Sequence, residues 1–194
     1  MLCNFPPLIL ASKSPRRQEL LRLMGLDFRV VLKDVDESYP ETLSPQEIAL
    51  YVSEKKARAF DEDIRDEIVV TADTIVCINN EILGKPENEL HAFEILSKLS
   101  GKTHQVITGV SLFNVSQIKS FYEVSEVSFN ILTTEQIDYY ISTGQPMDKA
   151  GAYGIQEWIG LIGIKRLNGS YTNVVGLPTE RLYKELSNFI HPAS

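Results

Sequence analysis

The sequence predicts an α/β protein built on a mixed sheet, and three stretches carry the prediction. Leu8 to Leu21 runs from an apolar strand through a small-polar turn into a helix without a spare residue. Glu67 to Ala72 is a β-branched strand that follows a well-capped helix, which adds a second strand and helix unit. Val106–Asn114 and Phe121–Ile131 are two strand-like runs around a polar loop and read as a long antiparallel hairpin. Strand-and-helix units favour parallel pairing and a hairpin demands antiparallel pairing, so the sheet is mixed.

The chain has 194 residues, 43% hydrophobic and 23% charged, enough for one domain spanning 1–194 that buries roughly 70% of its unfolded surface. No apolar run approaches the ~20 residues of a membrane span, and no charged start precedes an apolar stretch. The expectation is a soluble, cytoplasmic protein that engages no membrane. Cys3 and Cys77 are the only cysteines and form no metal-binding spacing, so neither a disulfide framework nor a zinc site is expected. A net charge of -7 argues against binding a nucleic-acid backbone.

In the first turn, Leu8 to Ala11 is the strand, Ser14 the N-cap and Pro15 the first helical residue. Unpaired backbone N–H groups and the positive end of the helix dipole meet there, beside Lys13, Arg16 and Arg17. The turn is either a site for a small anion or an ordinary capped helix with solvated cations. Leu20, Leu21 and Met24 continue the helix and Gly25 stops it; Phe28 to Leu32 is the next strand. The acidic cluster Asp34-Val35-Asp36-Glu37 follows, with Asp34 and Asp36 alternating against Glu37. It is either a carboxylate loop for a metal or a solvated turn.

Ser44-Pro45-Gln46-Glu47 is a capping box, and apolar spacing carries the helix to about Phe60. Lys55 and Lys56 lie on adjacent faces of it, so at most one points to the apolar side. The strand from Glu67 is expected to end at Asp73-Thr74, which places a carboxylate at the C-terminal edge of a buried strand. Desolvating it costs several kcal/mol, so Asp73 calls for a partner, a metal or a function. Open α/β sheets hold ligands at such edges.

Asn79-Asn80 reads as a hairpin turn leading to Gly84-Lys85-Pro86, which can turn Lys85 inward. Leu90, Phe93, Leu96 and Leu99 share one face of a helix over about 88–100, with His91 exposed. His104 has no partner spacing and is given a structural role. Thr133 and Gln136 form a second capping box for a helix to about Ile141 that ends at Gly144. Gln145 to Gln156 is rich in small residues; Gly160 to Leu167 reads as a strand, Asn168-Gly169 as a turn, and Pro178 opens a last helix to about Phe189.

The chain lacks a P-loop, a strand-linked G-x-G-x-x-G, a G-x-S-x-G elbow and an H-E-x-x-H. It does contain L-A-S-K-S-P-R-R at Leu10 to Arg17, D-V-D-E at Asp34 to Glu37, E-K-K-A-R-A at Glu54 to Ala59 and T-A-D-T at Thr71 to Thr74. G-K-P at Gly84 to Pro86, L-S-G-K-T-H at Leu99 to His104, D-K-A-G-A-Y-G-I-Q at Asp148 to Gln156 and G-S-Y-T-N-V-V-G-L-P at Gly169 to Pro178 follow in order. Together these resemble the Maf proteins, nucleoside triphosphate pyrophosphatases named for an effect on septum formation.

The resemblance implies a fold like that of inosine-triphosphate pyrophosphatases, a bent mixed sheet flanked by helices with a cleft between two lobes. It also implies a homodimer and a divalent metal, Mg²⁺ or Mn²⁺. Asp73 matches the family's general base, and Glu37 and Lys56 match other residues linked to activity. Glu37 and Asp73 are the expected metal ligands. Ser12, Arg16, Lys85 and Lys149 match positions around the phosphates and nucleotide. Arg16, Thr74 and Gln156 match the pattern of members acting on dTTP and UTP. The chain departs from many members at Glu157-Trp158, where a glycine-rich continuation is usual. The alternatives are a broader pyrophosphatase that includes purine nucleotides, and a nucleotide-binding regulator of division with little catalysis.

Overall fold

The computed structural model describes residues 5–190, so the expectation for Cys3 lies outside the described residues. Seven strands form one mixed sheet: β1 (Leu8–Leu10), β2 (Phe28–Val30), β3 (Ile68–Ile78), β4 (Glu81–Leu83), β5 (Thr103–Phe113), β6 (Ile118–Phe129) and β7 (Ile164–Asn168). Their order is β2-β1-β3-β5-β6-β7, with β4 also on β3. β1 is parallel to β2 and β3, whereas β4 is antiparallel to β3 and β7 to β6. The mixed sheet read from the sequence is therefore present. No helix among the described residues is long and apolar enough to cross a membrane.

The chain forms two compact units. The first holds the residues up to Asp73, Thr108–Glu123 and those from Gly176 on; the second holds Thr74–Ile107 and Val124–Val175. In the first unit the alternation of a strand divides its core in two, because successive side chains point to opposite faces. Leu8, Leu10, Ile68 and Val70 pack with Leu21 of α1 (Pro15–Leu23) and with Leu182 and Leu186 of the last helix, Thr179–Ile190. Ile9 and Val69 face the other way, toward Ala57 of α2 (Pro45–Arg58) and Phe60. Strands covered on both faces read as unbroken apolar runs, which is why Leu8 to Leu10 shows no alternation.

Both capping boxes are formed. The Ser44 hydroxyl accepts from the Glu47 amide while the Glu47 carboxylate accepts from the Ser44 amide at 2.8 Å. Thr133 and Gln136 do the same for α4 (Thr134–Ser142). Ser14 caps α1 with Pro15 at the first helical position, and Gly25 follows it with φ at +71°. Asn79 and Asn80 have φ of 50° and 64°, the left-handed pair that a tight two-residue hairpin requires.

In the second unit, the inner faces of α3 (Glu89–Leu99) and α4 pack with Val76, Ile78, Val106, Val127 and Phe129. Several readings change here. Leu90 is 69% exposed, and the buried face of α3 is Ala92, Ile95, Leu96 and Leu99. Asn88 caps that helix instead of belonging to it, and the capping turn draws in His91, half-buried, whose Nδ1 accepts from the Glu87 amide. Gly160 to Gly163 is not strand but part of α5 (Trp158–Gly163); only Ile164–Asn168 pairs, as β7. The Leu161 amide bonds the Glu157 carbonyl at 3.1 Å. A Cβ on Gly160 would stand 2.0 Å from the Ile155 carbonyl oxygen, so this glycine lets the helical turn close.

β3 is also longer than the sequence indicates. It runs unbroken through Asp73 and Thr74. β1 pairs with it only through Val70 and β4 only from Val76, so Asp73 lies beyond the C-terminal end of β1 without ending its own strand.

His104 is 2% exposed, stacked on Phe129, with Nε2 2.7 Å from the Tyr153 hydroxyl and Nδ1 unpartnered. This fits the structural role given to it. Burial pulls its pKa down from the ordinary 6.5 to about 4. Above pH ~6.5 both folded and unfolded chains hold it neutral and its contribution is complete. Between pH ~6.5 and ~4 only the unfolded chain takes up the proton, so stability falls by on the order of 3 kcal/mol across that window. Below it no further loss comes from this group. Urea unfolding at pH 7 and pH 5 is expected to show the fall, and His104→Gln to flatten it.

Candidate active site

The first turn is closed by its own side chains. Ser12, 8% exposed, accepts at Oγ from the Ser14 amide and from Arg17 Nη1, both at 3.2 Å. Arg17 also donates from Nε to the Gly176 carbonyl and from Nη1 to the Ala72 carbonyl, each at 2.8 Å. Its planar fork therefore ties the turn to β3 one residue before Asp73. Burial lowers the Arg17 pKa, and Asp73 and Glu37 act in the opposite sense. Of the three cations in the turn, Lys13 is exposed, Arg16 is half-buried and Arg17 serves the backbone.

Three carboxylates meet two lysines. The Lys56 ammonium lies 2.9 Å from Asp73 Oδ1 and 3.0 Å from Glu37 Oε1. Lys55, on the neighbouring face of α2, donates to Asp36 Oδ2 at 3.1 Å and to the Ser38 carbonyl at 3.3 Å. Asp36 is held at a pKa of about 2, first by bonds from the Ser38 hydroxyl and amide and then by Lys55. The expectation that one lysine points inward is met by Lys56. Its partner fixes the acidic loop that delivers Glu37.

The side chains of Lys56 and Asp73 are 16% and 18% exposed, and that of Glu37 is 61% exposed. The cluster is thus sheltered on the strand side and open on the loop side. Among the described residues no group of three His, Cys, Asp or Glu is assembled for a metal. Mg²⁺ is commonly held by one or two carboxylates with substrate phosphates completing the shell. Glu37 and Asp73 offer hard oxygen donors that converge on one cation, Lys56, so the donor set fits such an ion.

The remaining expected residues belong to the second unit. Thr74 is half-buried beside Asp73 on β3. Lys85 stands exposed, not turned inward, because the turn after Leu83 buries Pro86 in its place. Gln156 is exposed between buried Ile155 and half-buried Glu157. Lys149 is buried, and it is paired with Asp148 at 2.6 Å and Glu157 at 2.9 Å.

Residues 7–189 match the model of the Maf-like protein family. The chain belongs to the Maf family. A relative from Phocaeicola vulgatus, named dTTP/UTP pyrophosphatase, is 54% identical over 181 residues, covering 92% of this chain and 94% of that protein. A relative from Flavobacterium psychrophilum with the same name is 50% identical over 182 residues, covering 93% of each. A solved HAM1 protein from Coxiella burnetii has a TM-score of 0.51 and 16% identity, covering 94% of this chain and 98% of that one, a likeness of fold alone.

Within this Maf chain, sequence reasoning left two features unassigned. Arg17 was one cation among three, although adjacent residues on a helix point about 100° apart and cannot all face a ligand. Glu157 was a departure from the usual motif, and the side chain that receives it, Tyr140, carried no signal beyond helical spacing.

Proposed function

We propose that this Maf-family chain hydrolyses dTTP and UTP to the nucleoside monophosphate and pyrophosphate. The observation that carries the reading is the Lys56 ammonium held between Asp73 and Glu37. The Asp73 carboxylate orients a water and takes its proton as the oxygen attacks the α-phosphorus. The bond from that phosphorus to the bridging oxygen breaks, and pyrophosphate leaves without a covalent enzyme intermediate. Lys56 offsets negative charge beside the base, and Arg16 supplies further positive charge for the phosphates. Ser12 and Arg17 keep the turn in shape. Glu37 and Asp73 would hold Mg²⁺ or Mn²⁺ through their carboxylate oxygens, and the ion would supply polarisation of the phosphates.

Gln156, with Thr74, is assigned to the base. Its exposed carboxamide can both donate and accept, matching the donor and acceptor edge of uracil or thymine. The working protein in this reading is a cytoplasmic homodimer, which size-exclusion chromatography with light scattering checks directly.

The test is pyrophosphate release with Mg²⁺ or Mn²⁺ across pyrimidine, purine and modified nucleoside triphosphates. Selective turnover of dTTP and UTP is expected. Preference for purines would replace the substrate class, and binding without turnover would replace the enzyme by a nucleotide-binding regulator. Gln156→Glu removes the amide donor, so kcat/KM for dTTP and UTP is expected to fall on the order of tenfold to a hundredfold. An unchanged base profile would remove Gln156 from base recognition.

A further inference from the structure

We infer that Glu157 is a positioning residue for base selection, acting by locking both ends of the segment 149–154 that leads into Gln156. The inference rests on the proposed dTTP and UTP reading. Its geometry lies wholly within the second unit.

Glu157 occupies the N-cap position of α5, yet its side chain does not cap that helix. It turns back across Gly154, where a Cβ would stand 2.7 Å from its Cδ and 2.9 Å from each oxygen. Only glycine at 154 admits the carboxylate. Oε1 lies 2.9 Å from the Lys149 ammonium, and Oε2 accepts from the Tyr140 hydroxyl. That hydroxyl, on a side chain with no exposed surface, accepts in turn from the Gly154 amide at 3.1 Å. Burial and the neighbouring carboxylate push the Tyr140 pKa well up, so the phenol keeps its proton and remains the donor.

Lys149 has three donors, and all three have acceptors: the Gln145 carbonyl, Asp148 Oδ1 and Glu157 Oε1. With 7% of its surface exposed, it is placed to anchor the segment more than to reach a phosphate. Between the two anchors the backbone is strained. Gly151 and Ala152 have φ of 71° and 56°, and alanine pays a steric penalty in that region. A strained segment keeps one conformation only when its surroundings hold it there. Glu157 is the group that connects its beginning, at Lys149, to its end, at Gly154, and Gln156 is the exposed residue between Gly154 and Glu157.

The test compares Glu157→Gln and Tyr140→Phe with the wild type by steady-state pyrophosphate release, alongside thermal melts. Glu157→Gln keeps the side-chain shape and loses the charge; Tyr140→Phe loses a single oxygen. The expected result for both is a KM for dTTP and UTP raised on the order of tenfold with kcat held within about twofold. Discrimination against CTP and purine nucleotides narrows in the same variants. A fall in kcat at constant KM, tracking a lowered melting temperature, would reduce the network to a structural role and overturn the inference. If one variant does not fold, the other decides by the same split. No turnover by the wild type would instead overturn the proposed function, and selective wild-type turnover with unaltered variants would overturn this inference alone.

Discussion

Asp73→Asn is expected to lower turnover of dTTP and UTP by on the order of 10²- to 10⁴-fold, the range that general base catalysis contributes. Asparagine has the same shape and can still accept from Lys56, but it cannot take a proton from water. Lys56 also keeps Glu37 at 3.0 Å, so its ammonium is not left buried without a partner. The melting temperature is therefore expected to move little, and calorimetric binding of a non-hydrolysable dTTP analogue to persist. Raising Mg²⁺ or Mn²⁺ separates the two roles open to this residue. A loss that persists at saturating metal supports Asp73 as the base, whereas recovery of turnover would make it chiefly a cation ligand. Near-normal turnover without added metal excess would remove it from both.

What the sequence made legible was local. Ser44 with Glu47, Thr133 with Gln136 and Ser14 with Pro15 each specify a helix start through bonds three residues long, and all three are formed. The triad of Asp73, Lys56 and Glu37 was legible for a different reason. The residues alone single out Asp73, a carboxylate in an apolar strand, whereas Lys56 and Glu37 join it only through the Maf resemblance, since a surface lysine and a solvated acidic turn were the open alternatives. What was not legible depended on contacts that hydropathy and helix or strand periodicity do not encode. Ile-Gly-Leu-Ile-Gly has the hydropathy of a strand; it becomes helix because Gly160 admits the Ile155 carbonyl and Gly163 fits against Phe129 and Leu132. Asp73 looked like a strand end because neither local pattern nor propensity records where β1 and β4 stop pairing. The motif around Lys149 does not record that Glu157 folds back to pair with it at 2.9 Å.

Gly109→Ala is expected to be the most damaging single-methyl change in the first unit, costing about 3 kcal/mol or more of stability and on the order of 10²-fold in turnover. A Cβ at 109 would stand 2.2 Å from the Ala49 carbonyl oxygen, 2.4 Å from its carbon and 2.8 Å from the Leu50 nitrogen. These are backbone atoms of α2, which no rotamer change can move aside. The helix runs along β5 on a track of small groups: Ala49 meets Gly109, and one turn later the Ser53 hydroxyl meets that of Ser111 at 2.9 Å. The Ser53 carbonyl accepts from Thr71 at 2.7 Å, which fixes the same helix to β3. Lys56 lies seven residues beyond Ala49, two turns along and close to the same face. Any displacement that relieves the clash at 109 therefore moves the ammonium away from carboxylates it now meets at 2.9 and 3.0 Å. Urea unfolding and pyrophosphate release measure the two effects on one sample. Gly84→Ala is the matched control for stability, since its added Cβ meets nothing within 4 Å, and a change within about 0.5 kcal/mol is expected. Gly109→Ala with unaltered stability would mean that α2 is free to slide on β5, and the position of Lys56 would then need another anchor.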